Sequence, residues 1–148
     1  MKKSMLLLSA FAGLTVSMYA AEIQTGELPI NKVIKQNREI VKLASEEITK
    51  TLPQKVDKYT TLLKVEGQGT TLLYVFEINT GAKSDEAVRS EDRTRMQKAV
   101  TSGICRSSER FLDADINISY LYKSAASKGK LFQFNVSKDD CPKRIDQL

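Results

Sequence analysis

Between Ile30 and Leu52 the apolar positions recur at helical spacing: Ile30, Val33, Ile34, Ile40, Val41, Ala44, Ile48 and Leu52 line one side, with Lys, Arg, Glu and Gln on the other. That pattern predicts an amphipathic helix over 30–52. Pro29 suits its first turn, where a missing N–H costs no hydrogen bond, and Pro53 ends it by disfavouring helical geometry in Leu52. Asn37 is the one poor fit in the stripe. The period then changes. Tyr59 to Glu66 and Thr70 to Thr80 are rich in Thr, Leu, Val, Tyr and Phe, and Gly67-Gln68-Gly69 joins them as a hairpin turn. In the second run Leu72, Tyr74, Phe76 and Ile78 share one side while Leu73 and Val75 share the other, which predicts a central strand or a covered second face.

Polar residues from Gly81 to Ser90 read as a turn in which Ser84 or Ser90 caps a second helix. Met96, Ala99, Val100, Gly103, Ile104 and Phe111 give that helix its apolar face, predicted over Glu91 to Leu112. Alternation returns from Asp115 to Lys123, with Ile116, Ile118, Tyr120 and Tyr122 on one side. It returns again from Lys130 to Ser137, with Phe132, Phe134 and Val136 together, and Ser124 to Gly129 joins the two runs as a second hairpin. The order helix, strand, strand, helix, strand, strand predicts an α+β fold. Its expected form is a two-layer sandwich, a four-stranded antiparallel sheet with both helices on one face. The polar residues after Pro142 are expected to form a loosely ordered tail.

The first twenty residues follow a different logic. Lys2 and Lys3 precede an apolar run from Met5 to Val16, and small residues follow at Ala20 and Ala21. These are the marks of a cleavable Sec-type signal over 1–20, leaving residues 21–148 as one exported α+β domain, periplasmic or secreted. No other stretch approaches the ~20 apolar residues of a membrane span. The chain carries 23 Lys and Arg against 18 Asp and Glu, a net charge of +5. Both signs are interleaved, which argues for ordinary solubility and against a nucleic-acid face.

Export changes the reading of the two cysteines. Cys105 and Cys141 are far apart in sequence, unlike a C-x-x-C redox pair, and predict one structural disulfide from helix two to the end of the last strand. The absence of His removes the commonest general base and metal ligand, so Ser-His-Asp and Cys-His catalysis are excluded. Neither a catalytic residue, a cofactor nor a metal is expected. A Ser84 hydroxyl beside Lys83 is not evidence of a shielded Ser-Lys pair, and Gly67-Gln68-Gly69 does not lead into a helix as phosphate loops do. The aromatic ladder of Tyr120, Tyr122, Phe132 and Phe134 reads as core under the helices. Asp115-Ile116-Asn117-Ile118-Ser119 contains an N-x-S triplet with an acidic residue two before the Asn, similar to the extended acceptor of bacterial N-glycosylation, which makes Asn117 a candidate modification site. Arg89, Arg93, Arg95 and Lys98 form a candidate docking face, although opposite charges at helical spacing, as in Glu91 and Arg95, also describe a solvated surface.

The second half, a Cys in a helix, a strand pair and a closing Cys, is similar in layout to small exported bacterial proteins that include secretion pilotins and periplasmic inhibitors. No Cys lies at the leader boundary to carry a lipid, a departure from the usual pilotin. The expected function is therefore a non-enzymatic interaction domain whose partner is another protein, serving an envelope or secretion assembly or acting on a host. An inhibitor of an exported hydrolase, presenting Gly67 to Gly69 or Ser124 to Gly129, is the alternative, and a carboxylate-dependent enzyme with two acids in a deep pocket is a third.

Overall fold

Helix α1, Ile30–Thr49, buries Asn37, Val41 and Ser45 along its core-facing stripe. A computed structural model describes residues 29–143 of the chain; the expected leader and the tail beyond Lys143 lie outside the described residues. The helix stops three residues short of the predicted Leu52, and a cis Leu52–Pro53 peptide follows it. The chain then forms strands β1, Gln54–Lys55, β2, Thr60–Gln68, and β3, Thr71–Ile78. Gly69, at φ 61°, turns β2 into β3, a left-handed conformation open to glycine without a Cβ clash.

Helix α2 spans Asp85–Ser107, six residues earlier than the predicted start, because Ser84 is the cap: its hydroxyl accepts the Ala87 N–H at 3.2 Å, and Asp85 and Glu86 occupy the first turn. A break at Ser108 separates off the short α3, Glu109–Asp113. Strands β4, Asn117–Ser124, and β5, Lys130–Val136, complete the sheet, and a single 3-10 turn, Lys138–Asp140, leads to Cys141.

The α+β class stands, but the sheet differs from the expected one. It has five strands in the order β1-β2-β3-β4-β5, and it is mixed. The two hairpins are antiparallel, whereas β3 and β4 run parallel in unbroken register from Thr71↔Asn117 to Ile78↔Ser124. The reason is the intervening helix: α2 and α3 carry the chain back along the sheet, so β4 starts at the same end as β3. β3 is thereby central, which explains its two apolar sides, with Leu73 and Val75 buried on the face away from the helices as Leu72 and Phe76 are on the face toward them.

Register puts Leu72, Tyr74, Phe76 and Ile78 in line with Ile118, Tyr120 and Tyr122, and these with Val136, Phe134 and Phe132. That face meets the helices and forms most of one hydrophobic cluster. Helix α1 lies chiefly on β2, with Val41 packed against Gly67, while α2 lies chiefly on β5. Asn37 ties α1 across to the other half by donating to the Ala114 carbonyl at 2.6 Å, which accounts for a polar residue in an apolar stripe. The disulfide forms as expected between Cys105 in α2 and Cys141, with Cα atoms 5.6 Å apart.

Candidate functional site

Because the two long helices rest on β2 and β5, the middle of the sheet is left between them. Three strand spacings of ~4.8 Å place their supports ~14 Å apart, against the 8–10 Å of helices in direct contact. Aromatic side chains stand in this furrow. Tyr74 and Tyr120 are 5.2 Å apart between ring centroids, Phe76 lies 4.7 Å from Tyr120 and 4.9 Å from Tyr122, and the ladder continues through Phe134 to Phe132. Tyr74 and Tyr120 are partly exposed, while Phe76 and Tyr122 are buried. None of the three tyrosine hydroxyls bonds to another described group, and no buried side-chain oxygen or nitrogen is left without a partner, so each phenol tip reaches solvent. Burial of the rings pushes the Tyr74 hydroxyl up to about 12, with the neighbouring Tyr120 adding to it, and raises Tyr120 and Tyr122 as well. All three remain neutral hydrogen-bonding groups over ordinary pH.

The ladder ends in a cleft of about 480 Å³ whose lining includes Ile78, Val88, Met96 and Phe132, with Tyr59 on one wall. Tyr59 is held there by the turn before β2, in which Asp57 accepts the N–H groups of Tyr59 and Thr60, both at 2.8 Å, and the Lys58 ammonium sits 5.3 Å from the Tyr59 ring. Lys83, Asp92 and Arg95 also line the cleft. Asp92 accepts from Lys83 and from Arg95, each at 2.9 Å, which lowers its pKa, and Glu91 is a second partner of Lys83. These charges are mutually satisfied at the rim. They leave no free cation, acid pair or activated nucleophile. Among the described residues no group of three or more His, Cys, Asp or Glu side chains is placed to hold a metal.

A wider depression of about 1490 Å³ lies beyond α2, against the disulfide and the turn Lys138–Asp140. Lys98, Thr101, Ser102 and Arg106 are among its lining residues, as is Lys143, the last described residue.

The four basic residues grouped from the sequence do not share one free surface. Arg89 turns to the sheet edge and donates to the Lys130 carbonyl at 3.1 and 2.9 Å, Arg93 lies 5.9 Å from the Phe134 ring, Arg95 joins Asp92, and Lys98 lines the far depression. Asn117 is the first residue of β4, partly buried, with its N–H on the Thr70 carbonyl; the hydroxyl of the triplet's Ser119 is buried and donates to Asn135 at 2.7 Å. In the folded chain the acceptor triplet is thus part of the sheet. The Ser124–Gly129 link is pinned, with Ser127 donating to Asp85 at 2.5 Å and Lys128 paired with Glu77 at 2.8 Å. Ser84 is spent as a helix cap. Sequence reasoning placed the aromatic ladder under the helices but missed Tyr59 as a wall and the Lys83–Asp92 rim; the only available signal was Val88 and Met96 on the sheet-facing side of α2.

No protein of curated function matches the sequence. Three solved structures share the fold. A Pseudomonas aeruginosa protein described as secreted superposes with a TM-score of 0.66 at 10% identity, covering 78% of this chain and 100% of its own. The pilotin EpsS from the Vibrio vulnificus type 2 secretion system gives 0.64 at 10%, covering 77% and 99%. The type II secretion system pilotin AspS from Vibrio cholerae gives 0.60 at 17%, covering 75% and 97%. At these identities the likeness is one of fold. Residues 35–132 match the model of a domain of unknown function (DUF8479), and the chain belongs to that family.

Proposed function

We propose that this protein is an exported, non-enzymatic binding domain that serves as an accessory of an envelope or secretion assembly, and that it holds its protein partner on the aromatic strip between α1 and α2. The observation that carries this reading is the pair Tyr74 and Tyr120, 5.2 Å apart between ring centroids, which stay partly exposed at the middle of a ring ladder otherwise buried, with hydroxyls that bond no other described group. Tyrosines offer large contact area with a polar tip at little conformational cost, as in protein-binding surfaces generally. The shared fold with two type II secretion pilotins supports the class of assembly. The absence of His, the paired rim charges and the spent Ser84 support a binding rather than a catalytic role. Residues 21–148 would form the single exported domain.

The test is site-specific photocrosslinking in the native cell. A crosslinker at Tyr120 is expected to trap one envelope protein, while one at Lys123, on the opposite face of β4, traps none. Equal labelling from both faces would remove the strip as the binding surface, and capture of a hydrolase would turn the reading toward inhibition.

A further inference from the structure

The first half of α1 carries a surface that neither the core nor the aromatic strip uses. Asn37 and Val41 are buried, and Ile30 and Ile34 continue the same stripe toward the N-terminus at spacings of three and four. There the sheet no longer supports the helix. Ile30 is 77% exposed and Ile34 37% exposed. Beside this apolar overhang Lys35, Arg38 and Lys42 form a second stripe at helical spacing, with Lys32 one turn earlier, and all four are exposed. Glu39 is the single acid between Ile30 and Lys42. Elsewhere seven basic side chains, Lys50, Lys64, Lys83, Arg89, Arg95, Lys128 and Lys138, are ion-paired with carboxylates. None of the four cations on α1 is, among the described residues.

We infer that this face docks on a membrane surface bearing anionic phospholipids, with Ile30 and Ile34 entering the headgroup boundary and Lys35, Arg38 and Lys42, on the adjoining flank of the helix, meeting lipid phosphates. Unpaired cations flanking exposed isoleucines on one helix match an interfacial amphipathic segment, which lies on a bilayer without crossing it. The charge selects an anionic surface. The isoleucines select a bilayer over a soluble polyanion, which offers no apolar phase for them to enter. No helix among the described residues is long and apolar enough to span a membrane, so the contact is peripheral.

The experiment is vesicle co-sedimentation of the protein purified from expressing cells, with its N-terminus fixed by intact mass. The parent protein is expected to pellet with vesicles containing phosphatidylglycerol, to be released by salt, and to ignore phosphatidylcholine alone. K35Q and R38Q are each expected to lower the partition about fivefold, the worth of one basic side chain near a charged bilayer. I30N/I34N is expected to weaken it too, whereas V56N, which removes an exposed apolar group from a different surface, leaves it unchanged. Thermal unfolding of each variant separates lost binding from lost fold. Partition unaltered by K35Q and R38Q, equal binding to neutral vesicles, or no binding by the parent would each overturn the inference. So would binding to a soluble polyanion that matches vesicle binding and is indifferent to I30N/I34N, since that outcome assigns the face to an acidic macromolecule.

Discussion

Gly67→Ala tests the seat of α1 on the sheet. A Cβ built on Gly67 would stand 2.9 Å from Val41 Cγ1 and 3.5 Å from Ser45 Oγ. Val41 is 1% exposed and β-branched, so it has neither space nor a free rotamer to yield. Forcing one methyl into such a contact costs about 1–3 kcal/mol. Alanine also stiffens the unfolded chain, returning about 0.4–1 kcal/mol. The net expectation is a loss of about 1–2 kcal/mol, read as a lower urea midpoint with an unchanged slope. The decisive comparison is a double-mutant cycle with Val41→Ala, which removes the clashing methyl. Val41→Ala alone is destabilising, through lost burial and a cavity, but in its background Gly67→Ala should cost nothing or add stability, a coupling of about 1–2 kcal/mol. An equal cost for Gly67→Ala in both backgrounds would refute the argument that the glycine exists to let α1 approach.

Three further outcomes follow from the packing. Replacing Cys105 and Cys141 by Ser opens a crosslink spanning 36 residues and is expected to lower stability by about 4 kcal/mol on the chain-entropy estimate, measured by denaturant unfolding; a loss below ~1 kcal/mol would show that β5 and α2 hold each other without it. Asn37→Ala leaves the Ala114 carbonyl without its donor and is expected to cost about 1–3 kcal/mol, with hydrogen exchange rising first where α1 meets the α3–β4 junction. In alkali, Tyr74 is protonated in the folded state up to about pH 12, whereas the unfolded chain loses that proton near 10. The unfolded state therefore binds fewer protons in this window, and stability is full below pH 10 and falls as pH rises toward 12; phenolate absorbance that rose in step with free tyrosine, without unfolding, would contradict it.

Much of this architecture is legible in the chain because the two periods are clean. The stripe from Ile30 to Ile48 and the alternation of Ile118, Tyr120 and Tyr122 each specify one element and one buried face. The disulfide was legible from compartment and spacing. Sheet topology was not, since alternation reports which side a residue faces and is silent on strand direction; the parallel β3–β4 pair depends on where α2 and α3 set the chain down. The early start of α2 was hidden because Asp85 to Arg95 has few apolar residues, and its support comes from Ser84 and from charge pairs such as Glu86–Arg89 and Asp92–Arg95. The site was legible only as rings. That Tyr74 and Tyr120 meet across the seam between two hairpins, and that Tyr59 closes one end of the cleft, are tertiary facts with no local signature.

The parallel seam also bears on when the proposed surface comes into being. Each hairpin can close within its own stretch of chain, in microseconds for an isolated ribbon. Joining them requires pairing Thr71 with Asn117 and Ile78 with Ser124, so the 38 residues between β3 and β4 must close a loop whose entropy is met before the seam repays it. Tyr74 belongs to one ribbon and Tyr120 to the other. The strip is thus absent from either half and appears only when assembly is complete. A partner that recognises it reads, in the same contact, whether the domain has finished folding.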